Sequence, residues 1–139
     1  MWWIYALLSA FFAALTAIFA KIGIKGIDTD LATAIRTVVI LVLAWGIVIF
    51  RGGLGGINTL HKTNWLFLVI SGCATGLSWI FYFKALQIGK VSQVAPIDKL
   101  SVAISIVLAV IFLGEPLTWK NAMGALLIIG GTFVLILPS

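Results

Sequence analysis

Five runs of about 20 mostly apolar residues follow one another with only short breaks between them. Nothing else restricts the fold of this 139-residue chain so severely. A helix rises about 1.5 Å per residue, so about 20 residues cross a hydrocarbon layer of roughly 30 Å. The runs cover 2–20, 31–50, 65–86, 92–113 and 121–137. What remains suffices only for loops. The expected fold is all-α: a polytopic membrane protein, one domain over 1–139, built as a bundle of five transmembrane helices. Composition points the same way, with 63% hydrophobic residues, 9% charged residues and a mean hydropathy of +1.23. Soluble domains carry about 25% charged residues.

Several functions fall away on the same grounds. The net charge is +5, but the nine Lys and Arg residues stand singly between apolar runs, so no basic patch for nucleic acid forms. Cys73, the only cysteine, lies inside the third run and reads as a small packing residue. His61 is the only histidine and falls in a loop. With no acid pair at catalytic or metal-ligand spacing, an enzyme is not expected. Arg51-Gly52-Gly53-Leu54-Gly55-Gly56 is glycine-rich but lacks the Gly-Lys-Ser/Thr ending of a phosphate loop, and reads as a flexible connector. The first run has neither a basic stretch before it nor a small-x-small cleavage site, so it reads as a retained span.

The breaks carry helix-ending chemistry. The stretch Lys21 to Asp30 holds Gly23, Gly26 and two acids, Asp28 and Asp30, and Asp30 is placed to cap the second helix. Gly114-Glu115-Pro116 closes the fourth, since proline removes an N–H and excludes helical geometry before it.

Five crossings put the two ends of the domain on opposite sides. On the side of the N-terminus, side A, lie Arg51, Lys62 and Lys120; on side B lie Lys21, Lys25 and Lys90. Orientation follows an excess of basic loop residues on the cytoplasmic side, and here the count is tied. A tie is what a chain that inserts both ways and pairs with itself antiparallel would carry. The alternative is that Arg36, Lys84 and Lys99, nearer side B, tip that side into the cytoplasm. Trp2, Trp3, Trp65 and Trp119 all fall at side A, and an inverted partner would supply the second aromatic belt.

Arg36, Lys84, Asp98 and Lys99 fall in or near the spans, where an ionised group at the centre costs on the order of 2.5–3.5 kcal/mol. Counting from Leu31 and Ser92, Arg36 and Asp98 lie about 8–9 Å in from side B. One account is plain: Arg36 and Lys84 snorkel, and Asp98 neutralises Lys99 or Arg36. The sharper one is a polar cavity open to side B, where Arg36 binds an anionic substrate group and Asp98 takes a proton.

Polar residues line up behind these charges. Ser71, Thr75, Ser78 and Tyr82 recur at helical spacing in the third run, Asp98, Ser101 and Ser105 in the fourth, and Tyr5, Ser9 and Thr16 more sparsely in the first. Such hydroxyls either line a cavity or bond to their own helix. Gly72 and Gly76 make a Gly-x-x-x-Gly step expected to permit close helix packing, and Gly124, Gly130 and Gly131 in the last run are expected at helix packing or a dimer contact. Pro96 either kinks the fourth helix beside Asp98 or is a plain first-turn proline.

The pattern Tyr82-x-x-Ala85-Leu86-x-x-Gly89-x-x-Ser92-x-x-Ala95-Pro96, then Leu113-Gly114-Glu115-Pro116-Leu117-Thr118 and the glycines from Gly124 to Gly131, resembles the EamA domain of the drug/metabolite transporter superfamily. Arg36 after Leu31-Ala32-Thr33-Ala34-Ile35 matches an arginine common in that domain's second helix. The resemblance covers the whole chain. It implies a transporter of small metabolites, often an exporter, without a metal or organic cofactor. Many members join two such domains in inverted orientation, giving ten spans. This chain has one and is similar to the short five-span branch, whose second copy comes from another chain.

The expectation is therefore a small-metabolite carrier in the cell's inner (plasma) membrane, working by alternating access as an inverted homodimer or with a second five-span chain. Arg36, Asp98, Lys99 and Lys84 are the candidate binding or coupling residues, with Tyr82, Ser78 and Ser101 as lining. The alternatives are an exporter similar to the small multidrug resistance proteins and a non-transporting subunit of a larger membrane complex. The former depend on a glutamate in the first span, absent here.

Overall fold

A computed structural model of the chain describes residues 1–137. Its helices are α1 (Trp2–Gly23), α2 (Thr29–Phe50), a 3₁₀ helix over Gly53–Thr59, α3 (Lys62–Ile88), α4 (Val91–Asp98), α5 (Leu100–Leu113) and α6 (Trp119–Ile136). Among the described residues there is no strand. Five helical stretches are long and apolar enough to cross a membrane, the fourth being α4 and α5 taken together as Val91–Leu113. The fold is thus an all-α, multi-pass membrane architecture, as the hydropathy pattern implies. Leu, Ile, Val and Phe side chains stand exposed along every span. That inverts the rule for soluble proteins and suits a surface solvated by acyl chains.

The chain divides into two compact units. One comprises Phe19–Gln87, the other Met1–Ile18 with Ile88–Ser139. In the first, α2 starts two residues earlier than its hydropathy suggests. Asp28, not Asp30, is the cap: its carboxylate accepts from the N–H groups of Asp30 (3.0 Å) and Leu31 (2.9 Å). Asp30 falls instead in the first turn, on the favourable end of the helix dipole. The glycine-rich segment is not a slack connector either. Gly52 takes a left-handed φ of 68°, turning the chain out of α2. The following 3₁₀ helix then lies against α2, where a Cβ on Gly53 would meet Val48 at 3.5 Å.

The second unit holds the break in the fourth span. Pro96 is the sixth residue of α4, so it is not a first-turn proline. Its missing N–H leaves Ser92 O without the usual helical donor. Three residues later Lys99 N–H closes a tight turn onto Pro96 O at 3.0 Å, and α5 begins afresh at Leu100. The Thr132 hydroxyl of α6 reaches the same Pro96 carbonyl at 3.2 Å and also Ile128 O at 2.8 Å. A hydroxyl has one proton to give, so the two acceptors share it. At the far end of α5, Gly114 (φ 67°) makes the left-handed exit ahead of Glu115 and Pro116.

The glycines singled out for packing border open space within their own units. A Cβ on Gly72, Gly76, Gly124, Gly130 or Gly131 would meet no atom of its own unit within 4 Å. Cys73 is likewise exposed on α3 and is not a packing residue of the chain.

Candidate functional site

In the unit Phe19–Gln87 a short set of polar links joins residues far apart in the chain, Lys21 to Leu86 being 65 positions apart. The ammonium of Lys21, on the last turn of α1, donates to Leu86 O and, at 3.5 Å, to Gln87 O. These are C-terminal carbonyls of α3, which have no helical donor of their own and carry the negative end of its dipole. The Gln87 amide donates back to Ile27 O at 2.8 Å and to Ile24 O at 3.4 Å. Lys84 forms an ion pair with Asp30 at 3.4 Å, both side chains more than half exposed. Beneath these links lie the most buried large side chains, Ile24 (2% exposed), Phe83 (1%) and Leu86 (0%). Thr29 and Thr33 are buried as well; Thr33 returns its hydroxyl to Thr29 O at 2.8 Å, and Thr37 to Thr33 O at the same distance.

Arg36 lies deeper, seven residues into α2 and so about 10 Å from its start. It does not snorkel outward to a carboxylate. Its guanidinium carbon sits 4.3 Å from the Phe83 ring centroid and 5.6 Å from that of Trp79. Trp79 and Phe83 are four apart on α3, hence on one face, and offer two π-surfaces to one cation. Desolvated contacts of this kind are worth about 2 kcal/mol. They answer the charge but not the hydrogen-bonding capacity. Nη1 is buried and has no hydrogen-bond partner among the described residues. An unmade bond of this kind costs about 1–3 kcal/mol, so an acceptor brought to that atom would be strongly held.

Tyr82 packs edge-on against Phe83, with ring centroids 5.7 Å apart. Ser78 is exposed on α3. One turn higher, Thr75 turns its hydroxyl back to Ser71 O at 2.9 Å, the self-bonded arrangement open to any hydroxyl in a span.

The second unit holds the other candidates. Asp98 ends α4, and its carboxylate pairs with the adjacent Lys99 ammonium at 3.2 Å. Ser101 is exposed in the first turn of α5. The break therefore collects an acid, a base and the doubly used carbonyl of Pro96 within four residues. The candidates fall into two groups: Arg36, Ser78, Tyr82 and Lys84 in one unit, Asp98, Lys99 and Ser101 in the other. Among the described residues no three His, Cys, Asp or Glu side chains gather as a metal ion would require.

Four participants escape a reading of the sequence alone. Trp79 and Phe83 were legible only as apolar residues at helical spacing, and their role depends on which helix faces Arg36. Lys21 and Gln87 read as loop residues, whereas they tie the first break to the end of α3.

Comparison with known proteins matches residues 1–137 to the model of the EamA-like transporter family. An uncharacterized transporter in the cobO 3′ region of Sinorhizobium sp. is 48% identical over 134 residues, which cover 96% of this chain and 95% of that protein. The GDP-fucose transporter 1 of Dictyostelium discoideum is 29% identical over 141 residues, covering 94% of this chain and 37% of that protein. No solved structure matches.

Proposed function

The chain belongs to the EamA-like transporter family, and from that premise we propose that it is an exporter of small metabolites in the plasma membrane, acting by alternating access as an inverted homodimer. The observation that carries this is Arg36, a cation inside a span, held on aromatic rings with an unused buried donor. Ionisable groups at that depth are retained where they meet a substrate or a partner.

Three features favour a pair of copies. The basic loop residues balance across the membrane, three to each side. Ser71 and Ser78 stand exposed at membrane depth, where lipid offers no hydrogen bonds, so a partner or a shared aqueous cavity would cover them. The open faces at Gly72, Gly76, Gly124, Gly130 and Gly131 leave room for a second backbone to approach. The transporter from Sinorhizobium is matched over nearly its whole length, so one five-span unit makes up almost all of that relative as well.

Within the pair, Arg36 binds substrate. The Asp98–Lys99 pair at the broken fourth span couples binding to movement, with Tyr82, Ser78, Ser101 and Lys84 lining or flanking the path. A broken helix beside charge is a device by which secondary carriers expose one site to two sides.

Two fusions of the C-terminus, one to a reporter active only in the cytoplasm and one to a reporter active only outside it, test the arrangement. Activity from both is expected; activity from one alone would overturn the inverted homodimer. Export itself is read from the solutes outside cells that overproduce the chain. A small set should be enriched over cells producing Arg36→Gln, and identical profiles would rule out a carrier working through Arg36.

A further inference from the structure

We infer that the substrate carries an oxyanion, a carboxylate or a phosphate, and that this group docks in the guanidinium plane on Nη1 of Arg36 as the counter-charge that no described carboxylate of its unit supplies. The sequence contains four acidic side chains. Asp28 is committed to capping α2, Asp30 to Lys84 and Asp98 to Lys99, while Glu115 stands in the turn that leaves α5. Among the described residues no carboxylate pairs with Arg36. Lys84, the other cation of the same unit near this depth, does have its own acid, so Arg36 is set apart from it in kind.

The geometry narrows the ligand further. Phe83 and Trp79 occupy the space over the guanidinium, which leaves the in-plane N–H directions for recognition. An N–H of a guanidinium pointing into a desolvated space prefers a charged oxygen to a neutral one, because the charge-assisted bond is about twice as strong. A neutral or cationic substrate would leave the buried charge uncompensated. The inference rests on the carrier role proposed above in one respect: Nη1 is fully covered here, and a change of access must uncover it for a ligand to arrive.

The test uses the purified full chain and the isosteric probes 4-nitrobenzoate and 4-nitrobenzamide, whose nitroarene quenches nearby tryptophan. Trp79, beside Arg36, is the reporter, and Trp79→Phe identifies its share of the emission. Saturable Trp79-dependent quenching by nitrobenzoate is expected, with nitrobenzamide at least about tenfold weaker. Arg36→Lys, which keeps the charge but loses the planar fork, should weaken nitrobenzoate about tenfold, and Arg36→Gln should abolish the preference. Equal quenching by the two probes, no quenching by either, or an unchanged preference in Arg36→Gln would overturn the proposal. The comparison of the two probes on the unaltered chain needs no variant to fold.

A lipid phosphate could offer the same oxygen chemistry. In phosphatidylcholine vesicles, replacing part of the lipid with phosphatidylglycerol should leave nitrobenzoate binding unchanged, whereas its displacement would make the headgroup the ligand and overturn the assignment to a substrate. Binding requires no turnover, so the two proposals fail separately. Selective binding without export would remove the carrier role alone, and export with no preference for the anion would remove this inference alone.

Discussion

The two units treat charge within the membrane in opposite ways. Around the broken fourth span, Asp98 and Lys99 neutralise each other as chain neighbours, and one hydroxyl from α6 joins Lys99 N–H on the Pro96 carbonyl. Around Arg36 no carboxylate forms an ion pair among the described residues; the cation rests on Phe83 and Trp79, and the links from Lys21 and Gln87 hold the surrounding helix ends together across 60 or more positions. The first arrangement is local and complete in itself. The second depends on tertiary packing and leaves one donor unused. A self-neutralised pair can move as a unit at little electrostatic cost, whereas an uncompensated cation is suited to waiting for a ligand.

That contrast can be broken by mutation. Phe83→Ala should be the most damaging change, since it removes a buried aromatic and the platform under Arg36 together. A loss of about 3–5 kcal/mol is expected, read as a large fall in Tm of the solubilised protein. A fall no greater than that caused by Thr132→Val, which removes one hydrogen bond worth about 1 kcal/mol, would mean that the Arg36 region is not the more tightly built.

Pro96→Ala sharpens the other side of the comparison. The new N–H can restore the helical bond to Ser92 O, so Tm should rise by the equivalent of about 1 kcal/mol while export drops about tenfold. Unimpaired export from a straightened fourth span would remove the break from the mechanism. The smallest effect is expected from Lys84→Met. The pair with Asp30 is more than half exposed, and such pairs contribute about 0–1 kcal/mol, less at high salt. A salt-independent loss well above that range would show the pair to be structural.

The spans were legible because crossing a bilayer demands length and apolarity, which are properties of the sequence alone. Their ends were less so. Asp28 and Asp30 are both acids before an apolar run, and only the backbone geometry decides that the former caps and the latter pairs with Lys84. The glycine-rich stretch was misjudged because composition records permissiveness, not the 3₁₀ turn that packing against α2 selects. For the candidate site, sequence supplied the depth of Arg36 and the proline beside Asp98. It could not supply Phe83 and Trp79, because a cation–π contact has no signature until two helices face one another. The surplus of cation over acid was countable in advance, yet its location became visible only once Asp28, Asp30 and Asp98 had been placed with their partners.

Thr132 divides one proton between Pro96 O and Ile128 O. If α4 draws away, the hydroxyl keeps its place by turning wholly to its own helix, and Lys99 N–H still serves the Pro96 carbonyl. Neither the Thr132 hydroxyl nor the Pro96 carbonyl is stranded in either position. The contact therefore acts as a detent: it gives the broken span a preferred seat and lets it leave that seat without a high barrier.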